Sequence, residues 1–230
     1  MPFELDSVVP WGRNLNEYRS MFHLTEADLI KKIISFGDGP ASFNFEMLQS
    51  GRKIISLDPI YRFSRDQLQK RIDETRGGVM EQTRKNMDNF TWKDIKTINE
   101  LEEIRMRAMS LFLDDLEAGK REGRYIAHAL PRRTDFSDLQ FDLGLSSHFL
   151  LLYSRLGLDF HIRAITEMLR ICKEIRIFPI LNLDAERSEV LDGLLECFGT
   201  DYRVRLIKVI YEFQKNGNEM LKIKRVRTPH

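Results

Sequence analysis

The chain has 230 residues, enough for one sizeable domain or two small ones. Its 36 Lys and Arg stand against 35 Asp and Glu, a formal net charge of +1, which argues against a protein built to coat nucleic acid or an anionic membrane. Hydrophobic residues make up 42% and charged residues 31%, so a packed core is within reach and disorder is excluded as the main state.

The first 23 residues hold Pro2, Pro10, Trp11 and Gly12 with no sustained period, and read as an extended arm with a short helix around 15–22. They lack the basic-then-apolar pattern of a secretory signal. Thr25-Glu26-Ala27-Asp28 reads as a capping-box helix start. Residues 32–36 form a buried strand ended by Gly37, a helix follows over 40–49, and residues 53–58 form a second strand stopped by Pro59. Strand, Gly-rich turn, helix and strand within this span make a right-handed parallel crossover, the first half of an open α/β sheet.

Residues 61–124 break the rhythm. They are rich in charge, hold no convincing strand, and read as a helical insertion. Ser64 and Thr97 start its helices, and Gly77-Gly78 and residues 86–92 read as interruptions. The α/β pattern then resumes. Strands are expected over 124–129 and 141–146, and a helix over 161–172 with Asp159 as its cap. A strand over 174–183, apolar on both faces and therefore central, precedes a helix over 186–198. Residues 204–214 and 219–226 form a terminal hairpin turned by Asn216-Gly217. Lys222, Lys224, Arg225 and Arg227 make its last strand basic and read as a solvated edge. No segment approaches the ~18 apolar residues of a membrane span. Cys172 and Cys197 share no metal or redox spacing; both read as buried free thiols, which fits a reducing, cytoplasmic setting.

The chemistry centres on Gly37-Asp38-Gly39-Pro40. Glycines at the first and third positions permit a sharp turn and a close ligand approach. The next helix offers free amides and a positive dipole end. Asp58, about twenty residues on, ends the second strand, where a carboxylate accepts hydrogen bonds from both ribose hydroxyls of a nucleotide. Gly-x-Gly alone is weak; in this context it points to an adenosine-type ligand. Asp159 and His161 have ligand chemistry at close spacing, but nothing converges with them in sequence, so no metal site is expected.

With these residues in place, the chain resembles the class I S-adenosylmethionine-dependent methyltransferases, and more narrowly an uncharacterised prokaryotic branch of them. The Gly37–Ala41 turn is similar to their glycine-rich first motif and Asp58 to the ribose-binding acid. Pro59 and Ile60 stand where that family packs apolar residues on the adenine. His128 and Ala129 lie in a segment similar to the third motif, and Ser146 and Ser147 in one similar to the fourth. Arg13 of the arm would pair the cofactor's carboxylate. Ser35 and His128 replace acids common in the family, leaving Asp38 or backbone carbonyls to meet the cofactor's ammonium. His148, just past the fourth strand, is the candidate base; a structural, turn-capping histidine is the alternative.

The resemblance covers about residues 24–60 and 125–226. It implies a Rossmann-like mixed seven-stranded sheet ending in an antiparallel hairpin, with the helical insertion after the second strand. It implies one domain: an arm (1–23), a nucleotide-binding core (24–60 and 125–230) and a lid or oligomer surface (61–124). The implied function is methyl transfer from S-adenosylmethionine to a small molecule, releasing S-adenosylhomocysteine, with homo-oligomers formed through the insertion and neither membrane nor nucleic acid as expected partner. Two alternatives stay open: an NAD(P)-dependent oxidoreductase, in which Ser42 takes the place of a third glycine, and a non-catalytic binding protein on the same fold.

Overall fold

The computed structural model describes residues 10–226; the first nine residues of the arm and Arg227 lie outside the described residues. Seven strands form one sheet in the order β3-β2-β1-β4-β5-β7-β6. This is the expected Rossmann-like mixed sheet. Strands β1 (Ile33–Phe36), β2 (Ile55–Leu57), β3 (Tyr125–Ile126), β4 (Leu143–Ser147) and β5 (Glu174–Phe178) run parallel. Strands β6 (Tyr202–Lys208) and β7 (Glu219–Arg225) pair antiparallel, and β7 runs antiparallel to β5. The strand order reverses between β1 and β4, and in open α/β sheets ligands bind beyond the carboxyl ends of the strands at that point.

Helices α6 (Leu158–Ile171) and α7 (Leu191–Gly199) cover one face, where Ile165, Met168 and Leu194 pack on Ile34, Ile175 and Ile177. Helices α1 (Leu15–Met21), α2 (Glu26–Leu29) and α3 (Phe43–Gln49) cover the other, with Tyr18, Phe22, Phe43 and Met47 against Leu143 and Leu145. Each such side chain contributes about 1.5–3 kcal/mol when fully buried. The α1 and α2 starts are complete capping boxes, Asn14 with Glu17 and Thr25 with Asp28.

The insertion supplies α4 (Arg65–Lys85) and α5 (Ile98–Arg121), packed beside the β3 edge through Tyr61, Leu68, Phe112, Leu116 and Tyr125. Ser64 caps α4 with a full box. Gly77-Gly78 do not interrupt it: Leu68, Ile72, Val79 and Met80 are buried along its length, which offsets the ~1 kcal/mol that each glycine costs a helix. Thr97 accepts the Glu100 N–H, while the Glu100 carboxylate turns to the Lys96 N–H at 2.6 Å.

Several boundaries and environments differ from expectation. Strand β3 is only two residues long, because beyond Ile126 the chain turns and Arg132 N–H donates to the Ala129 carbonyl. Helix α6 starts at Leu158 with Gly157 as its cap, so Asp159 sits inside the first turn. Helix α7 starts at Leu191, after a turned segment held by Asn182. Strand β5 is central but not apolar on both faces: buried Arg176 pairs with Glu174 and with Asp28 of α2. The terminal strands are joined by residues 209–218 rather than by a two-residue turn. This loop docks on the insertion, Thr91 N–H donating to the Phe213 carbonyl at 2.7 Å and Phe90 stacking on Phe213. Strand β7 lies inside the sheet, and Lys222 and Lys224 reach Glu174 at 2.8 and 3.7 Å; β6 is the edge. Cys172 is buried, as expected, but Cys197 is exposed. Among the described residues no helix is long and apolar enough to cross a membrane.

Candidate functional site

A cavity of about 660 Å³ opens at the carboxyl edge of the sheet, lined by the Gly37–Pro40 turn, Asp58, the arm, the first turns of α4 and the segment after β4. Gly37 and Gly39 both have positive φ, 70° and 58°. A Cβ on Gly37 would also lie 2.6 Å from the Phe149 ring. The turn is therefore closed to other residues by conformation and, at Gly37, by packing.

Asp58 ends β2 and is 7% exposed. Its Oδ2 accepts the Gly39 N–H at 2.8 Å and its Oδ1 the Ile60 N–H at 2.9 Å. One carboxylate thus ties the glycine turn to the 3-10 turn Pro59–Arg62, and each oxygen keeps a second lone pair. Burial pushes its pKa up to about 6 against the pull of those two amides, so it is mainly ionised at pH 7.

Asp38 is committed differently. Its carboxylate accepts hydroxyls from Tyr18 and Ser56 at 2.7 Å and from Ser35. Burial raises its pKa despite those donors. Its backbone lines the cavity with Pro40, but its carboxylate is a brace for the turn and not an open partner for an ammonium.

The α3 N-terminus is not the free anion site that the sequence implied. Ser42 N–H donates to the Arg13 carbonyl, and the Glu46 carboxylate, in the first turn, accepts from Ser42 Oγ at 2.9 Å and Leu15 N–H at 2.7 Å. The start of the helix thus already carries a negative charge of its own. The arm lies directly on the glycine turn: a Cβ on Gly12 would come within 2.1 Å of the Pro40 carbonyl oxygen.

The structure brings Arg13, Pro59, Ile60, His128, Ala129, Ser147 and His148 to the same cavity. Half-buried His128 places Nε2 3.0 Å from the Arg132 carbonyl. Ser146 is not among these residues. Strand alternation turns it to the opposite face from Ser147, where it is fully buried with its Oγ unpartnered. His148 has positive φ, 51°, and its N–H donates to the Phe178 carbonyl at 2.7 Å, so it does brace the turn after β4. Its Nδ1 lies 2.9 Å from Ser147 Oγ, which in turn contacts Met21 Sδ. The Ser147 hydroxyl thus holds the imidazole at Nδ1 and fixes the orientation of the ring. Burial, then Arg13 and Arg105, hold the imidazole pKa well below its ordinary value, so the ring is neutral at pH 7.

Sequence reading missed the far walls. Phe149 and Tyr153 carry no motif, and Arg62, Gln67 and Lys70 come from the insertion. It also missed the ion cluster behind Arg13, whose members Glu17, Arg105 and Tyr211 are 88 and 194 residues apart in pairs. Among the described residues no group of three or more His, Cys, Asp or Glu side chains is arranged to hold a metal ion.

No family model matches the chain. Several solved structures resemble it at low identity. A SAM-dependent methyltransferase from Methanosarcina mazei is 11% identical, with TM-score 0.46, over 88% of this chain and 94% of that one. Burkholderia thailandensis 1,6-didemethyltoxoflavin-N1-methyltransferase is 11% identical, with TM-score 0.48, over 92% and 79%. The pyocyanin biosynthetic protein PhzM is 10% identical, with TM-score 0.48, over 92% of this chain; the chain spans 55% of that protein's length. In sequence, uncharacterized protein MJ0045 of Methanocaldococcus jannaschii is 39% identical over 224 residues, 96% of this chain and 98% of that protein. At that identity and coverage, the chain belongs to the same protein family as MJ0045.

Proposed function

We propose that the protein is an S-adenosylmethionine-dependent methyltransferase acting on a small molecule. The observation that carries this reading is Asp58. It is a buried, ionised carboxylate at the end of β2, beside the switch point of the sheet, with one acceptor site free on each oxygen. Two adjacent ribose hydroxyls are the donors that fit such a pair. Ile60 and Ala129 supply apolar surface for an adenine, His128 flanks it, and Gly37 and Gly39 let the ligand lie against the backbone.

The dinucleotide alternative fits less well. Its pyrophosphate would sit at the start of α3, where the Arg13 carbonyl takes the Ser42 N–H and the Glu46 carboxylate takes the Ser42 hydroxyl. Its sheet also lacks the β7 strand inserted between β5 and β6.

When bound, S-adenosylmethionine supplies an activated methyl on its sulfonium. The protein's part is to orient an acceptor, exclude water and take a proton. We assign the proton to the His148 imidazole: the ring is neutral, and Ser147 fixes its orientation. The face of α4 that carries Gln67 and Lys70 lines the cavity and selects the acceptor.

Thermal shifts with S-adenosylmethionine, S-adenosylhomocysteine, NAD and NADP test the reading. A ligand at 100 times its Kd stabilises the fold by about 2.7 kcal/mol. The sulfur cofactors are expected to shift the transition; a shift with NADP and none with either sulfur compound overturns the proposal.

A further inference from the structure

Behind the arm lies a charge cluster that the cofactor does not explain. Arg105 of α5 is fully buried, and its Nη1 donates to Glu17 Oε2 at 2.6 Å. Tyr211 donates to Glu17 Oε1 at 2.9 Å, and Arg13 Nε lies 3.9 Å from the same oxygen. Burial pushes the Tyr211 hydroxyl up to about 12, so it stays neutral. Two guanidiniums therefore face one carboxylate, leaving one positive charge in a dry part of the molecule. Arg105 Nε and Nη2 and Arg13 Nε have no hydrogen-bond partner. Buried charges in folded proteins are normally paired, and buried donors satisfied.

Of the two arginines, Arg13 lines the cavity, together with Trp11, Phe149 and His148. An anion at that end would complete the cluster. S-adenosylmethionine does not discharge it, because its sulfonium and ammonium outweigh its single carboxylate. A second ligand that is an anion would discharge it, and Arg13 is then free of the cofactor-carboxylate role that the family resemblance implies.

We propose that Arg13, backed by Arg105, forms an anion subsite beside His148 that takes a carboxylate of the methyl acceptor. The word acceptor rests on the methyl-transfer reading; the subsite itself does not. A planar guanidinium matches a carboxylate with two parallel N–H donors, which a neutral isostere does not match. The acceptor is then an acid with an apolar body, since Trp11, Phe36 and Phe149 form the adjoining wall.

The full chain is titrated at constant ionic strength with benzoate and with benzamide, with and without saturating S-adenosylhomocysteine. Benzoate is expected to bind at least tenfold more tightly than benzamide. Arg13→Gln should collapse that ratio to near one, and Arg13→Lys should restore part of it. Equal binding of acid and amide by the native protein overturns the subsite, as does failure of benzoate to bind. A ratio preserved in Arg13→Gln also overturns it. Comparing S-adenosylhomocysteine with 5′-methylthioadenosine separates the two carboxylate sources. If Arg13→Gln abolishes the preference for S-adenosylhomocysteine, the subsite serves the cofactor's own carboxylate and the acceptor assignment falls. If neither adenosyl compound binds the native protein, the methyl-transfer reading fails, while the benzoate ratio still decides the subsite.

Discussion

Asp58 allows a pH test with its magnitude fixed in advance. The carboxylate must be ionised to accept two hydroxyls, and burial puts its pKa at about 6 in the free protein. Roughly nine-tenths of molecules are then ionised at pH 7 and roughly one-tenth at pH 5. The Kd for S-adenosylhomocysteine should weaken about tenfold between those values, with the slope steepest below pH 6. Stability of the ligand-free protein should run the other way. A folded pKa raised above the ordinary carboxyl value of 3.8 means that the folded state holds this proton longer. Asp58 therefore adds stability that is fully present below about pH 4 and lost as pH rises through 6, at most about 3 kcal/mol. Asp58→Asn should remove both dependences and weaken binding about 30-fold or more, since each hydrogen bond to a charged group contributes about 1.5–3 kcal/mol. Calorimetry at pH 5, 6 and 7 on both proteins makes the comparison, and other carboxylates cancel in the difference. An affinity that is flat from pH 5 to 7, or an Asp58→Asn variant that binds as the native protein does, refutes the assignment.

Substitutions at Gly37, Gly77, Gly78 and Arg124 test the surrounding structure. Gly37→Ala places a methyl 2.6 Å from the Phe149 ring at φ 70°, and should cost about 1–3 kcal/mol in denaturant unfolding and abolish the adenosyl-ligand thermal shift. Gly77→Ala and Gly78→Ala meet nothing within 4 Å inside a continuous helix, and each should stabilise by about 0.5–1 kcal/mol; a destabilisation would mean that α4 is broken there in solution. Fully buried Arg124 holds Asp115 at 2.5 and 2.7 Å and Asn44 at 2.9 Å. Arg124→Met should cost about 3–5 kcal/mol by stranding the Asp115 carboxylate, with most of the loss recovered in the Arg124→Met/Asp115→Asn double variant.

The parts of the fold that were legible in sequence are those written locally. Strands β1 and β2 stand out as Ile-rich runs between turn signals, and the α2, α4 and α5 starts as caps followed by apolar periodicity. The glycine turn and Asp58 were legible because backbone demands fix residue type at fixed spacing. What stayed hidden depends on distant partners. Gly77-Gly78 look like breakers until α5 buries their neighbours. Strand β5 reads as apolar on both faces, and its buried Arg176 comes to light only with Asp28, 148 residues away, which receives it. Ser146 and Ser147 are equivalent in sequence, and only the register of β4 against β1 and β5 decides which faces the cavity.

The arm shows most sharply why a motif does not by itself specify its ligand. Gly-x-Gly followed by a helix is a phosphate cradle only if the helix amides remain free. Here Gly12 lets the arm descend onto Pro40, Arg13 gives its carbonyl to Ser42 N–H, and Glu46 brings its own negative charge to the same helix turn. A second anion at that point would meet Coulombic repulsion in a poorly solvated pocket. The same contacts that remove a phosphate site carry the Arg13 guanidinium to the cavity wall near His148 and leave it over a cluster with one carboxylate too few. The demand for negative charge has moved from the glycine turn, where a dinucleotide would satisfy it, to the arm, where the proposed acid acceptor would.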